Sequence, residues 1–192
     1  MRLFFIAVLS ALLAGCGAPP APKFQLTDVT NVGFGKELNL TDHDGKPRTL
    51  ADFRGKVVTV FFGFTHCPDV CPTTLAEMAQ VMKELGPAGE KVQVLFVTVD
   101  PERDTADVLK RYVPSFNPTF LGLRGDLEAT ARAAKEFKVY FKKQPAKDGN
   151  YSVDHGAGTF ILDQQGRLRL FSQYGQGPTG LVHDIRLLLS GA

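Results

Sequence analysis

The amino-acid sequence predicts an α/β fold: a mixed central sheet flanked by helices, with an extra hairpin on its N-terminal side. Three observations carry this expectation. Residues 57–64 are a continuous apolar run rich in Val and Phe, and residues 92–99 read as a second buried strand of the same length. Segments with helical periodicity alternate with these runs, and that alternation implies a mostly parallel sheet covered on both sides. Turn chemistry at two places marks hairpins, which add antiparallel strands. A chain of 192 residues is one domain with room for a proper core.

The first 15 residues read as a lipoprotein signal peptide. Met1 and Arg2 give a short positive start, and residues 3–14 are apolar except for Ser10. That run is too short for a comfortable membrane span but suits the apolar region of a signal peptide. It ends in Leu13, Ala14, Gly15 and Cys16, which looks like a bacterial lipobox. Cys16 is then the lipidated N-terminus of the mature protein, and residues 16–23, rich in proline, form a stiff tether. The expected location is a bacterial cell envelope, lipid-anchored, with the domain of residues 24–192 on the periplasmic or extracytoplasmic side.

Residues 38–40 and 48–50 flank a turn at Asp42, His43, Asp44 and Gly45, which predicts the N-terminal hairpin. After the first buried strand, Leu75, Met78, Met82 and Leu85 recur on one face of a helix that Gly86 and Pro87 stop. The methionines on that stripe read as core packing. Following the second buried strand, Asp104 or Thr105 caps a helix reaching about Tyr112. A short strand is expected at 120–123, and Asp126 caps the helix behind it. Residues 140–154 are polar and aperiodic and read as a long functional loop. A hairpin of residues 158–163 and 167–172 and a helix over 179–189 close the chain. Lys and Arg number 22 against 20 Asp and Glu, a net charge of +2. That balance offers no sign of the clustered basic face that nucleic-acid binding demands.

The chemistry concentrates in residues 62–72, where Cys67 and Cys71 follow the first buried strand and open a helix. Open α/β sheets place their ligands at the carboxyl ends of strands. Cys71 lies near a helix N-terminus, whose partial positive charge favours thiolate. Three residues separate the cysteines, and on a helical turn positions i and i+4 share one side. Two converging thiolates suit a soft ion such as Cu(I), and the same pair can close into a disulfide. A reading as inert core cysteines fits poorly with a loop carrying Pro68, Asp69 and His66.

His155 is the candidate third ligand. It follows the long loop and precedes a strand, where redox thioredoxins carry a cis-proline; here the nearest proline before it is Pro145. Asp154 is the candidate for a supporting role behind it. His43 and His183 read as surface residues. His66 adjoins Cys67, but neighbours on an extended chain point to opposite faces, which argues against a fourth ligand.

Over residues 34–189 the chain resembles the Sco/SenC proteins, copper-binding assembly factors of cytochrome c oxidase. The residues that carry the resemblance are the run 63–75 with Cys67 and Cys71, then Asp100, Pro101, Glu102, Arg103, Asp104 and Thr105, then Val153, Asp154 and His155. The resemblance implies a thioredoxin-like fold in which Cys67, Cys71 and His155 ligate copper, Cu(I) or Cu(II). It also implies delivery of copper to the binuclear site of oxidase subunit II, or reduction of that target's thiols by Cys67 and Cys71. Other periplasmic copper carriers are further expected partners. Gly156 stands where family members often have Ser. A peroxidase is disfavoured: its pattern asks for Thr or Ser three residues before the cysteine, and Phe64 and Pro68 occupy those positions.

Overall fold

The computed structural model describes residues 23–145 and 150–192. The expected signal peptide, Cys16 and all of the tether but Lys23 lie outside them. Ten strands and four α-helices are formed by the described residues. They run β1 (Thr27–Asp28), β2 (Asn39–Asp42), β3 (Pro47–Thr49), β4 (Val57–Gly63), α1 (Val70–Leu85), β5 (Val92–Thr98), α2 (Ala106–Tyr112), β6 (Leu121–Arg124), α3 (Leu127–Glu136), β7 (Phe141–Pro145), β8 (Tyr151–His155), β9 (Thr159–Leu162), β10 (Leu168–Ser172) and α4 (Pro178–Leu189).

Eight strands form one sheet in the order β1-β10-β9-β4-β5-β6-β2-β3. The β4, β5 and β6 strands are parallel, while β9 joins β4, and β2 joins β6, antiparallel. The sheet is therefore mixed, as expected, with the N-terminal hairpin β2–β3 on its edge. Every residue of β4 and β5 is buried. That burial on both faces explains why their sequences run apolar without alternation. Phe61 packs on Phe96, its register partner in β5, while Phe62 meets Phe137 and Phe160. The helix α1 buries Leu75, Met78, Val81 and Leu85, and Met82 packs half-buried against the core, so the methionines serve packing. Among the described residues no helix is long and apolar enough to cross a membrane.

Both hairpin turns in the large sheet are built alike. Asp42 accepts hydrogen bonds from the Asp44 and Lys46 N–H groups and from Arg48 Nε, with Gly45 at φ 84°. Asp163 repeats this with Gln165, Arg167 and Gly166 at φ 71°. Each Asp is almost wholly buried, so these hydrogen bonds replace water around its charge.

Two expectations are corrected here. Residues 140–154 contain two strands, β7 and β8, which pair only with each other, Phe141 opposite His155. Of their side chains Val153 alone is buried, so backbone pairing makes the ribbon and leaves little hydrophobic pattern to read. His43 is not a surface residue: it is 8% exposed, and its Nδ1 accepts the Gly122 N–H at 3.0 Å. His183 is exposed and rests against the Asp184 carboxylate at 2.6 Å.

Candidate metal centre

The strand β4 delivers its chain to the carboxyl edge of the sheet at Gly63. Cys67 sits in the turn that follows, its N–H bonded to the Phe64 carbonyl at 3.2 Å. Cys71 is the second residue of α1. The ribbon β7–β8 reaches the same place from a distant part of the chain and ends on His155. The outcome is a sulfur–nitrogen pair: Cys71 Sγ lies 3.7 Å from His155 Nε2 across 84 positions of sequence. Both cysteines are free thiols.

The imidazole is held on three sides. Its Nδ1 is 2.9 Å from the Gly156 carbonyl, which can only accept, so Nδ1 carries the hydrogen and the Nε2 lone pair faces Cys71. Phe61 and Phe64 present their rings nearly perpendicular to it, centroids 6.3 and 5.8 Å away. Burial pushes the His155 pKa below its ordinary value, against the Gly156 carbonyl and Asp154, so the ring stays neutral and able to ligate.

Cys71 differs from the expectation built on the helix N-terminus. Its side chain is fully buried, and burial pushes its pKa up, against the hydrogen bond with the Phe64 backbone. Cys67 and Asp104 push in the same direction. Desolvation outweighs the helix dipole, and without metal Cys71 is held as a thiol. Cys67 is only partly buried.

The other site expectations divide. Asp154 is exposed and accepts from Gln144 Nε2 at 2.8 Å; His155 Nδ1 donates to the Gly156 carbonyl instead. His66 is largely exposed and its Nδ1 lies 3.1 Å from Thr65 Oγ1. Among the described residues no three His, Cys, Asp or Glu side chains are gathered closely enough to hold an ion as they stand. Cys71 and His155 are the pair in contact, and Cys67 is the nearest further sulfur in sequence.

Three contributors were not foreseen. Gly63 leaves room for the Cys71 sulfur, Gly156 fixes the imidazole tautomer, and Asp104 anchors the start of the cysteine turn. Asp104 does so by accepting the Thr65 N–H at 3.0 Å and the Thr65 hydroxyl at 2.6 Å. Of the two candidate caps for α2, Asp104 and Thr105, Thr105 makes the cap, through the Val108 N–H.

Residues 27–190 match the family model described as SCO1/SenC. The chain is 44% identical over 146 residues to the mitochondrial SCO2 homologue of Mus musculus, which is 74% of this chain and 56% of the relative. It spans about half the length of the curated mammalian relatives it matches. Among solved structures, ScoI of Bradyrhizobium japonicum, solved with copper bound, is 40% identical with a TM-score of 0.75, covering 81% of this chain and 99% of that one. Apo Sco1 of Thermus thermophilus is 42% identical with a TM-score of 0.77, covering 89% of this chain and all of the other. By sequence and by fold, this chain belongs to the SCO1/SenC family.

Proposed function

We propose that this protein is a copper-binding metallochaperone that delivers copper to the binuclear copper site of cytochrome c oxidase subunit II. The observation that carries the reading is the approach of Cys71 Sγ to His155 Nε2 at 3.7 Å. Two segments far apart in sequence bring a soft sulfur and a neutral imidazole nitrogen to one point. Cys67, with a partly exposed thiol in the turn just before the helix, supplies the second sulfur. Two sulfurs and one imidazole are a donor set that copper accepts in both oxidation states, the sulfurs favouring Cu(I). The copper-bound relative at 40% identity supports the choice of metal.

As cargo, the metal displaces protons from the thiols when it binds, and the same protons help release it at the target. A second reading, thiol–disulfide reduction, uses the two free thiols alone. In that step Cys67, the more exposed sulfur, attacks a target disulfide. Cys71 then closes the Cys67–Cys71 bond, so two electrons and two protons pass to the target. Disulfide exchange makes no use of the imidazole beside Cys71, and that juxtaposition favours the copper reading.

The deciding experiment is titration of the protein with Cu(I) and Cu(II), followed by absorption and electron paramagnetic resonance. One copper per chain is expected, lost in Cys67→Ser and in Cys71→Ser. Stoichiometry that survives either substitution overturns the reading. The site works from a bacterial envelope, held to the membrane by lipid on Cys16, with oxidase subunit II and periplasmic copper carriers as partners. Mass spectrometry of the mature N-terminus tests the anchor; an unmodified Cys16 would falsify it.

A further inference from the structure

The ribbon β7–β8 stands outside the eight-stranded sheet, and a two-stranded ribbon is marginal by itself. The position of His155 therefore depends on what fastens the ribbon to the body. The fastening lies in residues 100–105, the connection between β5 and α2. Arg103 Nε donates to the Asp100 carboxylate, and Arg103 Nη1 donates to the Tyr151 carbonyl at 2.9 Å. The guanidinium carbon lies 3.7 Å from the centroid of the Tyr151 ring and 5.9 Å from that of Phe64. The Tyr151 hydroxyl closes the circuit by donating to the other Asp100 oxygen at 2.8 Å. Asp100 is fully buried. From β7, Lys143 reaches Glu102 at 2.6 Å, an exposed strap of little weight.

The same connection holds the cysteine segment. Asp104, also fully buried, accepts from Thr65 and from the Thr98 hydroxyl at 2.6 Å. Arg124 pins the connection from β6, donating to the carbonyls of Asp104 and Pro101, both at 3.2 Å. One short stretch is thus bonded to the start of the cysteine turn and to the first residue of the strand that ends on His155.

We propose that residues 100–105 are a bracket that sets the spacing between the two ligand-bearing segments and so governs how well the site holds Cu(II). The proposal rests on Cys67, Cys71 and His155 being the ligands. Asp104 positions the cysteine turn, and Asp100 and Arg103 position Tyr151 and through it the ribbon. Cu(I) is satisfied by two thiolates from one turn, whereas Cu(II) also needs the imidazole, whose strand the bracket ties to the body of the fold at Tyr151. The bracket requires arginine: a planar fork can bond a carboxylate and a carbonyl while stacking on a ring, and an ammonium cannot.

The test uses the full-length chain with Arg103→Lys, which keeps the charge, and Tyr151→Phe, which keeps the ring and removes one hydroxyl. Amide hydrogen exchange on the metal-free protein should quicken about 10-fold in residues 141–145 and 150–155 of Arg103→Lys, with β4 and β5 unchanged. Cu(II) affinity should fall about 10-fold, the usual scale for losing a group that orients a ligand, with a shifted paramagnetic spectrum. Cu(I) affinity should move less than about 3-fold, since its thiolates are untouched. Tyr151→Phe should move each quantity in the same direction by less. Unchanged exchange in the ribbon, or equal weakening of Cu(I) and Cu(II), overturns the proposal. The exchange measurement needs no metal. If His155→Ala binds Cu(II) like wild type, the ligand assignment fails by itself, while exchange still decides whether the bracket holds the ribbon.

Discussion

A Cβ placed on Gly63 would lie 2.9 Å from the Cys71 sulfur, with Phe96 Cε2 at 2.8 Å and Phe61 Cε1 at 3.0 Å. Gly63 ends β4 beside the first turn of α1, and its missing side chain is the space the thiol occupies. Gly63→Ala should therefore act on the metal centre as well as the core. Overpacking of this kind costs about 1–3 kcal/mol. Urea unfolding of the metal-free protein should show that loss, and copper affinity should fall with it. A variant as stable as wild type with unaltered copper binding would remove Gly63 from the account.

The Asp42 turn predicts how the hairpin answers acid. Burial works against its charge, but the Lys46 N–H, Arg48 and the Asp44 N–H outweigh it and hold its pKa below the ordinary 3.8. A lowered carboxylate contributes stability above the unfolded value and loses it as pH falls through the folded one. Wild type should thus lose stability below pH 3.8 partly through this group. Asp42→Asn should lose about 2–3 kcal/mol at neutral pH, the scale of a charged hydrogen-bonded pair, and show a shallower acid limb. Thermal melts across that range provide the measurement.

How much of this was legible beforehand follows from what each residue signals. The strands β4 and β5 announce themselves because both faces are buried and, apart from Gln93, every side chain is apolar or small. The α1 stripe shows its face by spacing alone. The polar, exposed strands of the ribbon β7–β8 leave no pattern, so their sequence reads as a loop. Spacing along the chain is also silent about what lies across a fold. Nothing in composition or periodicity brings His155 to Cys71 over 84 positions; its place before a strand in a thioredoxin-like topology points to that meeting, and the family resemblance agrees. The protonation of Cys71 departs from the sequence expectation because the helix N-terminus is visible in sequence and the depth of burial is not. His43 looked exposed for the same reason, since turn residues usually are.

Burial of the thiol and of the imidazole gives the metal-free protein a second pH signature. Cys71 is raised above its ordinary 9.0, so the unfolded chain loses that proton first and stability falls as pH rises past 9.0. His155 is lowered below 6.5, so the unfolded chain gains a proton first and stability falls as pH drops below 6.5. Cys71→Ser should flatten the alkaline limb and His155→Ala the acid one, in unfolding measured without metal. Copper affinity should drop toward acid, because each ligated thiol must release its proton. Since His155 stays neutral below 6.5, its share of Cu(II) binding should persist to lower pH than an exposed histidine allows. Identical pH profiles in wild type and both variants would remove these two groups from the explanation.

His155 also separates copper delivery from thiol reduction. The cysteines suffice for disulfide exchange, while a site of two sulfurs and one nitrogen needs all three residues. His155→Ala should keep a pair that forms a disulfide, yet bind Cu(II) at least about 10-fold more weakly. Cu(I) should suffer less, because two thiolates hold it in near-linear coordination. Cys67→Ser and Cys71→Ser should each abolish both activities. The two readings then part company in cells carrying each variant at equal expression, with oxidase activity and oxidase copper content as the readout. Copper delivery predicts that His155→Ala lowers assembly almost as far as the cysteine variants. Thiol reduction predicts nearly normal oxidase with His155→Ala. Near-normal assembly by His155→Ala under copper limitation would transfer the function from the metal to the thiols, because only the metal needs an imidazole 3.7 Å from Cys71.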